Sequence, residues 1–217
     1  MKNLLFTLAL LISFSSFGQQ NIKQGLVTEY YESGEVKLKV NYVDGKEQGE
    51  EIGYYESGEI KYKVNYVDGK EQGEYIDYYE SGEVLGKGNY VDGKAQGEYI
   101  GYYESGEVKN KVNYVDGQKD ETIGYFKSGA VSGKLNYIDG QVQGESIGYY
   151  ESGEVWYIFN YVDGKRQGEY IGYYESGEVK WKGNYVDGKE QGELKYYTIN
   201  GEIDKIENYK DGELIED

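Results

Sequence analysis

Asn41-Tyr42-Val43-Asp44-Gly45 decides the fold, because the chain keeps returning to it: Asn-Tyr-x-Asp-Gly begins again at Asn65, Asn89, Asn113, Asn136, Asn160, Asn184 and Asn208. Successive copies stand 24 residues apart, with one step of 23 between Asn113 and Asn136. Between copies lies a second fixed element, Tyr-Tyr-Glu-Ser-Gly-Glu, as at Tyr54 to Glu59 and Tyr149 to Glu154. Self-similarity at a fixed short period marks a repeat array, in which each unit leans on its neighbours.

Each unit reads as a hairpin. In the fourth, Glu98 to Tyr103 forms one strand and Val108 to Val115 the other, with Glu104-Ser105-Gly106-Glu107 as the turn between them. Asp116-Gly117 turns the chain into the next unit. Val108, Val112 and Tyr114 share one parity while Lys109, Lys111 and Asn113 share the other, the period of a strand rather than a helix. Eight hairpins make roughly 16 short strands, an array on the order of 75 Å long at about 4.8 Å per strand. The expected fold is therefore all-β: an elongated, single-layer antiparallel meander of about eight 24-residue β-hairpin repeats. Its units cover about 24–47, 48–71, 72–95, 96–118, 119–142, 143–166, 167–190 and 191–214 within an array over 19–217.

The first residues differ. Lys2 precedes an apolar run from Leu4 to Phe14, followed by Ser15-Ser16-Phe17-Gly18. A positive start, an apolar stretch too short to span a bilayer and small residues before the cut predict a signal peptide over 1–18, cleaved before Gln19. No Cys follows, so a lipoprotein anchor is excluded; the expected location is periplasmic or extracellular, with no membrane span left in the mature chain.

Composition removes several functions. The 217 residues carry 23 basic and 40 acidic side chains, a net charge of −17. Such a surface repels phosphate backbones and anionic lipid, so no nucleic-acid partner is expected. With no Cys and no His, thiol nucleophiles, imidazole bases, disulfides and nearly all zinc or iron sites are gone. Carboxylates abound, but they recur in every unit and so read as turn and surface groups rather than a catalytic pair. The Asp-Gly turns could be taken for calcium loops; Asp in turns more often bonds its own backbone, and Lys46, Lys70, Lys94, Lys165 and Lys189 sit beside them. No catalytic residue, metal or cofactor is expected.

Columns appear when the units are aligned. Tyr42, Tyr66, Tyr90, Tyr114, Tyr137, Tyr161, Tyr185 and Tyr209 occupy one position, which predicts a stacked ladder of rings. Gly53, Gly101, Gly124, Gly148 and Gly172 form a column of close approach that Asp77 and Tyr196 break. One residue is missing between Asp116 and Ser128, where Gln118-Lys119-Asp120 predicts a local kink, and a polar last unit with Asp204, Glu207 and Lys210 suits a cap. The candidate binding residues come from unit six. Most units are polar or basic at two alternate positions, as at Lys61 and Lys63 or Lys109 and Lys111, where unit six has Trp156 and Ile158. Phe159 falls in the Val column and should point inward; Tyr157 and Trp181 share a neighbouring column and extend the patch if that face is open.

Tyr90-Val91-Asp92-Gly93-Lys94-Ala95-Gln96-Gly97-Glu98-Tyr99 resembles the MORN repeat, and more closely its bacterial variant with a Tyr-Tyr-x-x-Gly element. The resemblance covers roughly 24–214, and Gln stands where the better-known form has His before the second Gly. It implies a non-enzymatic scaffold that binds a partner protein, here at the cell envelope or outside it. Some relatives are catalogued as antitoxins, so an antitoxin or immunity-type protein is one alternative. A glycan-binding module is another, because exposed tyrosine rows can stack on sugar rings.

Overall fold

Each Asn-Tyr-x-Asp-Gly reverses the chain at its last two residues. Asp44 has φ 50° and Gly45 φ 79°, and the pair recurs down to Asp211 at 53° and Gly212 at 86°. Two successive left-handed residues make the tight hairpin loop whose twist matches that of its strands. Asp tolerates this conformation because its short polar side chain bonds locally. The Tyr-Tyr-Glu-Ser-Gly-Glu end is wider: the Gly58 N–H donates to the Tyr55 carbonyl at 3.0 Å and the Tyr55 N–H to the Glu59 carbonyl at 2.8 Å. With Gly58 at φ 93°, this is a turn closed by a one-glycine bulge.

The computed structural model describes residues 22–215, and its regular elements there are all strands, joined in one antiparallel sheet. The proposed signal peptide lies outside the described residues. Unit four runs as Gly97–Tyr102 and Val108–Val115. The sheet counts 22 strands rather than about 16 because a bulge at Gln48-Gly49 and its equivalents splits the first arm of five hairpins into a two-residue and a six-residue strand, and Glu213–Ile215 adds one more after the last hairpin. Pairing follows chain order, so the array is an elongated meander: Gly49–Tyr54 pairs with Ile60–Val67, which pairs with Lys70–Tyr78.

The register sorts side chains onto two faces. On one, isoleucine and lysine alternate from strand to strand: Lys39 opposite Ile52, Ile52 opposite Lys63, Lys63 opposite Ile76, Ile76 opposite Lys87. On the other lie the aromatics and the core. Val40, Val64, Val112, Tyr170 and Leu194 are the buried apolar side chains, Glu51 and Ser146 the buried polar ones. All seven belong to one register row, with Glu51 opposite Val64 and Ser146 opposite Phe159. Among the described residues no second layer covers that row, so neighbouring rings do. Tyr62 lies flat across Gly53, Tyr157 across Gly148 and Trp181 across Gly172, each so close that a Cβ on the glycine would collide with the ring. The predicted glycine column is thus a bed for aromatic rings.

Three links tie each unit to the next. The second tyrosine of the hairpin donates its hydroxyl to a carbonyl of the following hairpin: Tyr31 to Tyr54 at 2.6 Å, Tyr55 to Tyr78 at 2.7 Å, Tyr79 to Tyr102 at 2.8 Å. At the opposite edge Gln48 Oε1 accepts the Asp68 N–H, and the Gly69 N–H donates to the Glu47 carbonyl. Unit five lacks all three: the hydroxyl link toward unit six, and both turn-edge links between the Asp139-Gly140 turn and the strand that follows Asp116-Gly117. Phe126 has no hydroxyl, Asp120 replaces the Gln-Gly bulge, and the bond from Gly140 is absent, its turn standing clear of the preceding one. The missing residue therefore shortens a bulge, with Asn113 opposite Glu121 and Tyr114 opposite Lys119, and opens a seam at the turn edge.

Phe126→Tyr should place a hydroxyl near the Tyr149 carbonyl, restoring one link. A gain of about 0.5–1.5 kcal/mol is expected, the net worth of one such bond. Urea melts of the two proteins check it; no change would mean the phenol does not reach.

Candidate functional site

The ladder tyrosines stand in register but do not stack on one another. Successive copies sit two strands apart, about 9.6 Å, which is too far for ring contact. The intervening strand places one variable side chain between them. Tyr42 faces Glu47, Tyr66 faces Glu71, Tyr90 faces Ala95, Tyr114 faces Lys119, Tyr137 faces Val142, Tyr161 faces Arg166, Tyr185 faces Glu190 and Tyr209 faces Leu214. The expected continuous ladder is corrected to an alternating row of half-buried phenols and spacers. They meet other rings instead: Tyr90 meets Tyr75 of a first arm at 5.7 Å, and Tyr185 meets Tyr170 at 4.6 Å and Phe159 at 6.2 Å.

Units six and seven hold the densest aromatic packing. Phe159 stacks on Tyr170 at 5.4 Å, Tyr157 and Trp181 flank Phe159 at 5.1 and 6.0 Å, and Trp181 meets Tyr170 at 5.3 Å. Arg166 closes the cluster. Its guanidinium lies 4.1 Å from the Phe159 ring centre and donates to the Tyr161 and Tyr185 hydroxyls, both at 3.1 Å. The Tyr170 hydroxyl donates to Glu190 at 2.6 Å. Burial, then that carboxylate, raises the Tyr170 pKa, so the phenol stays a hydrogen-bond donor. Tyr157 and Trp181 therefore belong to the aromatic face, where each covers a glycine.

Trp156 and Ile158 stand elsewhere. In three units a lysine ammonium sits over the hairpin tyrosine, Lys61 over Tyr55 at 5.7 Å, Lys109 over Tyr103 at 5.8 Å and Lys180 over Tyr174 at 5.4 Å. Trp156 takes that place over Tyr150 at 6.1 Å, also touching Tyr157, and is 46% exposed at the hairpin edge. Ile158 lies half-buried in the isoleucine–lysine row, between Ile147 and Ile171. Elsewhere that row carries a lysine at least at every second strand; here three isoleucines stand side by side. The four predicted residues thus divide among the hairpin edge, the lysine face and the aromatic face. Ile147, Ile171, Arg166 and Tyr150 were missed, because each matches or only mildly departs from its own column. Only the cross-strand register shows what they touch.

A family model described as MORN repeat variant matches residues 23–44, 47–68, 71–92, 95–116, 142–163 and 166–187. It passes over residues 117–141, where the bulge is shortened and the links fail. No curated protein matches. Among solved structures, the crystal structure of TcdB2-TccC3-Cdc42 aligns over 84% of this chain and 14% of its own, at 12% identity and a TM-score of 0.23. That of TcdB2-TccC3 aligns over 87% and 14%, at 12% identity and 0.22. The Photorhabdus luminescens Tc holotoxin pore carrying TccC3-D651A aligns over 86% and 13%, at 12% identity and 0.17. The chain thus spans a small part of those proteins.

Tyr170→Ala should cost roughly 3–5 kcal/mol, the range for losing a large buried ring. Tyr209→Ala should cost clearly less, being a half-buried ring in the last unit. Denaturant melts of both variants decide it, and equal losses would remove the aromatic cluster as the main local source of stability.

Proposed function

Since the chain belongs to the MORN repeat variant family, we propose that it is an exported, non-enzymatic repeat scaffold that holds a partner protein at the cell envelope or outside the cell. A single-layer array exposes both faces along its whole length, so its binding capacity lies in surface columns. The observation that carries the reading is the break in the lysine face at unit six. Ile147, Ile158 and Ile171 make an apolar stripe where the neighbouring units interpose lysine, with exposed Trp156 at the hairpin edge of the same unit. An apolar patch within a charged surface, with an accessible tryptophan nearby, has the make-up of a protein-binding hot spot.

Export is supported by Lys2, the apolar run Leu4 to Phe14 and the small residues beyond it. N-terminal sequencing of the protein recovered from outside the cytoplasm should begin at Gln19. Recovery of Met1 from a cytoplasmic fraction would overturn it.

The double change Trp156→Lys, Ile158→Lys restores the residues that other units carry, so the array should fold. Crosslinking in envelope extract should then lose the partner that the unaltered protein captures, by about a hundredfold if both residues anchor the contact. Undiminished capture would place the interface elsewhere.

A further inference from the structure

A cleft of about 600 Å³ lies far from unit six, on the aromatic face between units three and four. Three departures from the repeat meet there. Ala95 is the smallest side chain at the spacer position, which elsewhere holds Glu47, Glu71, Lys119, Val142, Arg166, Glu190 or Leu214, so a space is left between Tyr90 and Tyr114. Three units on, Arg166 fills the equivalent space and bridges two phenols. Gly88 replaces the Val of the core row and lets the Tyr99 side chain lie against the sheet there, beside Tyr75. Asp77 replaces the bed glycine and sets a carboxylate at the cleft's edge.

The remaining chemistry is specific. The Tyr75 hydroxyl donates to Asp77 Oδ1 at 2.5 Å and the Tyr99 hydroxyl to Oδ2 at 3.3 Å. A carboxylate offers about four lone-pair positions, so roughly two remain for a ligand's hydroxyls. Burial and Asp77 push the Tyr99 phenol up to about 12, which keeps it a donor at neutral pH. Gln96 adds an amide to the lining, its Oε1 accepting the Asp116 N–H at 3.0 Å. The ring positions of Tyr90 and Tyr114 are about two strand spacings apart, roughly 9.6 Å. A saturated ring held between two aromatic faces needs about 7–8 Å, twice the usual carbon–carbon contact distance.

We propose that this cleft is a saccharide-binding site for a neutral, gluco-configured pyranose. Its all-equatorial substituents leave both ring faces lined by C–H bonds, which suit the tyrosine walls, while the hydroxyls radiate in the ring plane toward Asp77 and Gln96. A cleft of this size, with apolar walls and a few converging polar groups, fits a small ligand of one to two rings. The site is separate from the unit-six surface, and either can fail without the other.

The probe is cellotriose, observed by saturation-transfer NMR on the full mature chain, with tetramethylammonium chloride as the competing chemistry. Transfer to cellotriose is expected with the unaltered protein. It should fall at least about tenfold in Ala95→Arg, which fills the space as Arg166 does, and in Asp77→Gly, which restores the column. Both variants carry residues that other units tolerate at the same register, and circular dichroism confirms their fold. Trp156→Lys, Ile158→Lys should leave the signal unchanged. No transfer to cellotriose overturns the proposal. So does transfer that persists in Ala95→Arg and Asp77→Gly, or a cleft that takes tetramethylammonium and not cellotriose.

Discussion

A sheet one layer thick has nothing to lay over its apolar row, and that constraint shapes everything else here. Burial must come from side chains that lie down across their own sheet. A ring can lie flat only where the opposite strand has no Cβ, which is why Tyr62, Tyr157 and Trp181 each face a glycine. Size is thus traded across the strands, large against small. The resulting core is one row wide, and in the deepest place Val40 is only 1% exposed without any second layer.

So thin a core makes the links between units important. A hairpin alone is marginal in water, and stability must pass along the array from neighbour to neighbour. Tyrosine hydroxyls do this at one edge; glutamine side chains and turn amides do it at the other. All act on backbone groups, so they tolerate variation on the faces between them. In unit five the loss of one residue undoes the turn-edge links together. The bulge shortens, the glutamine disappears with it, and the adjoining turns lose their bond. The strand pairing persists across the seam, with Glu121 opposite Asn136 and Gly124 opposite Gly133, so the sheet stays continuous while its turn edge opens.

Function in such an array lies in departures from the repeat. Residues that recur in every unit serve turns, beds and links; a residue that appears once is free to do something else. Unit six interrupts the lysine face with isoleucine and puts a tryptophan at the hairpin edge. Units three and four hollow the aromatic face with Ala95 and Gly88 and add Asp77. The two sites lie on different faces and at different distances along the array. A repeat scaffold can present separate surfaces in this way without any change of backbone.

The 24-residue period, the Asp-Gly and Ser-Gly turns and the alternation of Val with Lys determined the all-β hairpin array from the chain alone. They are local signals: two left-handed residues make a tight turn wherever they occur, and a period of two makes a strand. The glycine column, too, was legible as a place of close approach. Tertiary structure alone decided which side chains stand together. Alignment by unit makes the tyrosine ladder look continuous because it hides the strand between, whereas register puts Glu71, Ala95 or Arg166 between successive rings. Trp156, Ile158, Tyr157 and Trp181 look like one patch in the sequence but divide among an edge and two faces. The hairpin loop is closed by a bulge, and a bulge changes which way the next residue points. Cross-strand neighbours come from residues about five to seventeen positions apart, and no local pattern carries that pairing. That distance is why the hairpins could be read from the chain and the surfaces they assemble could not.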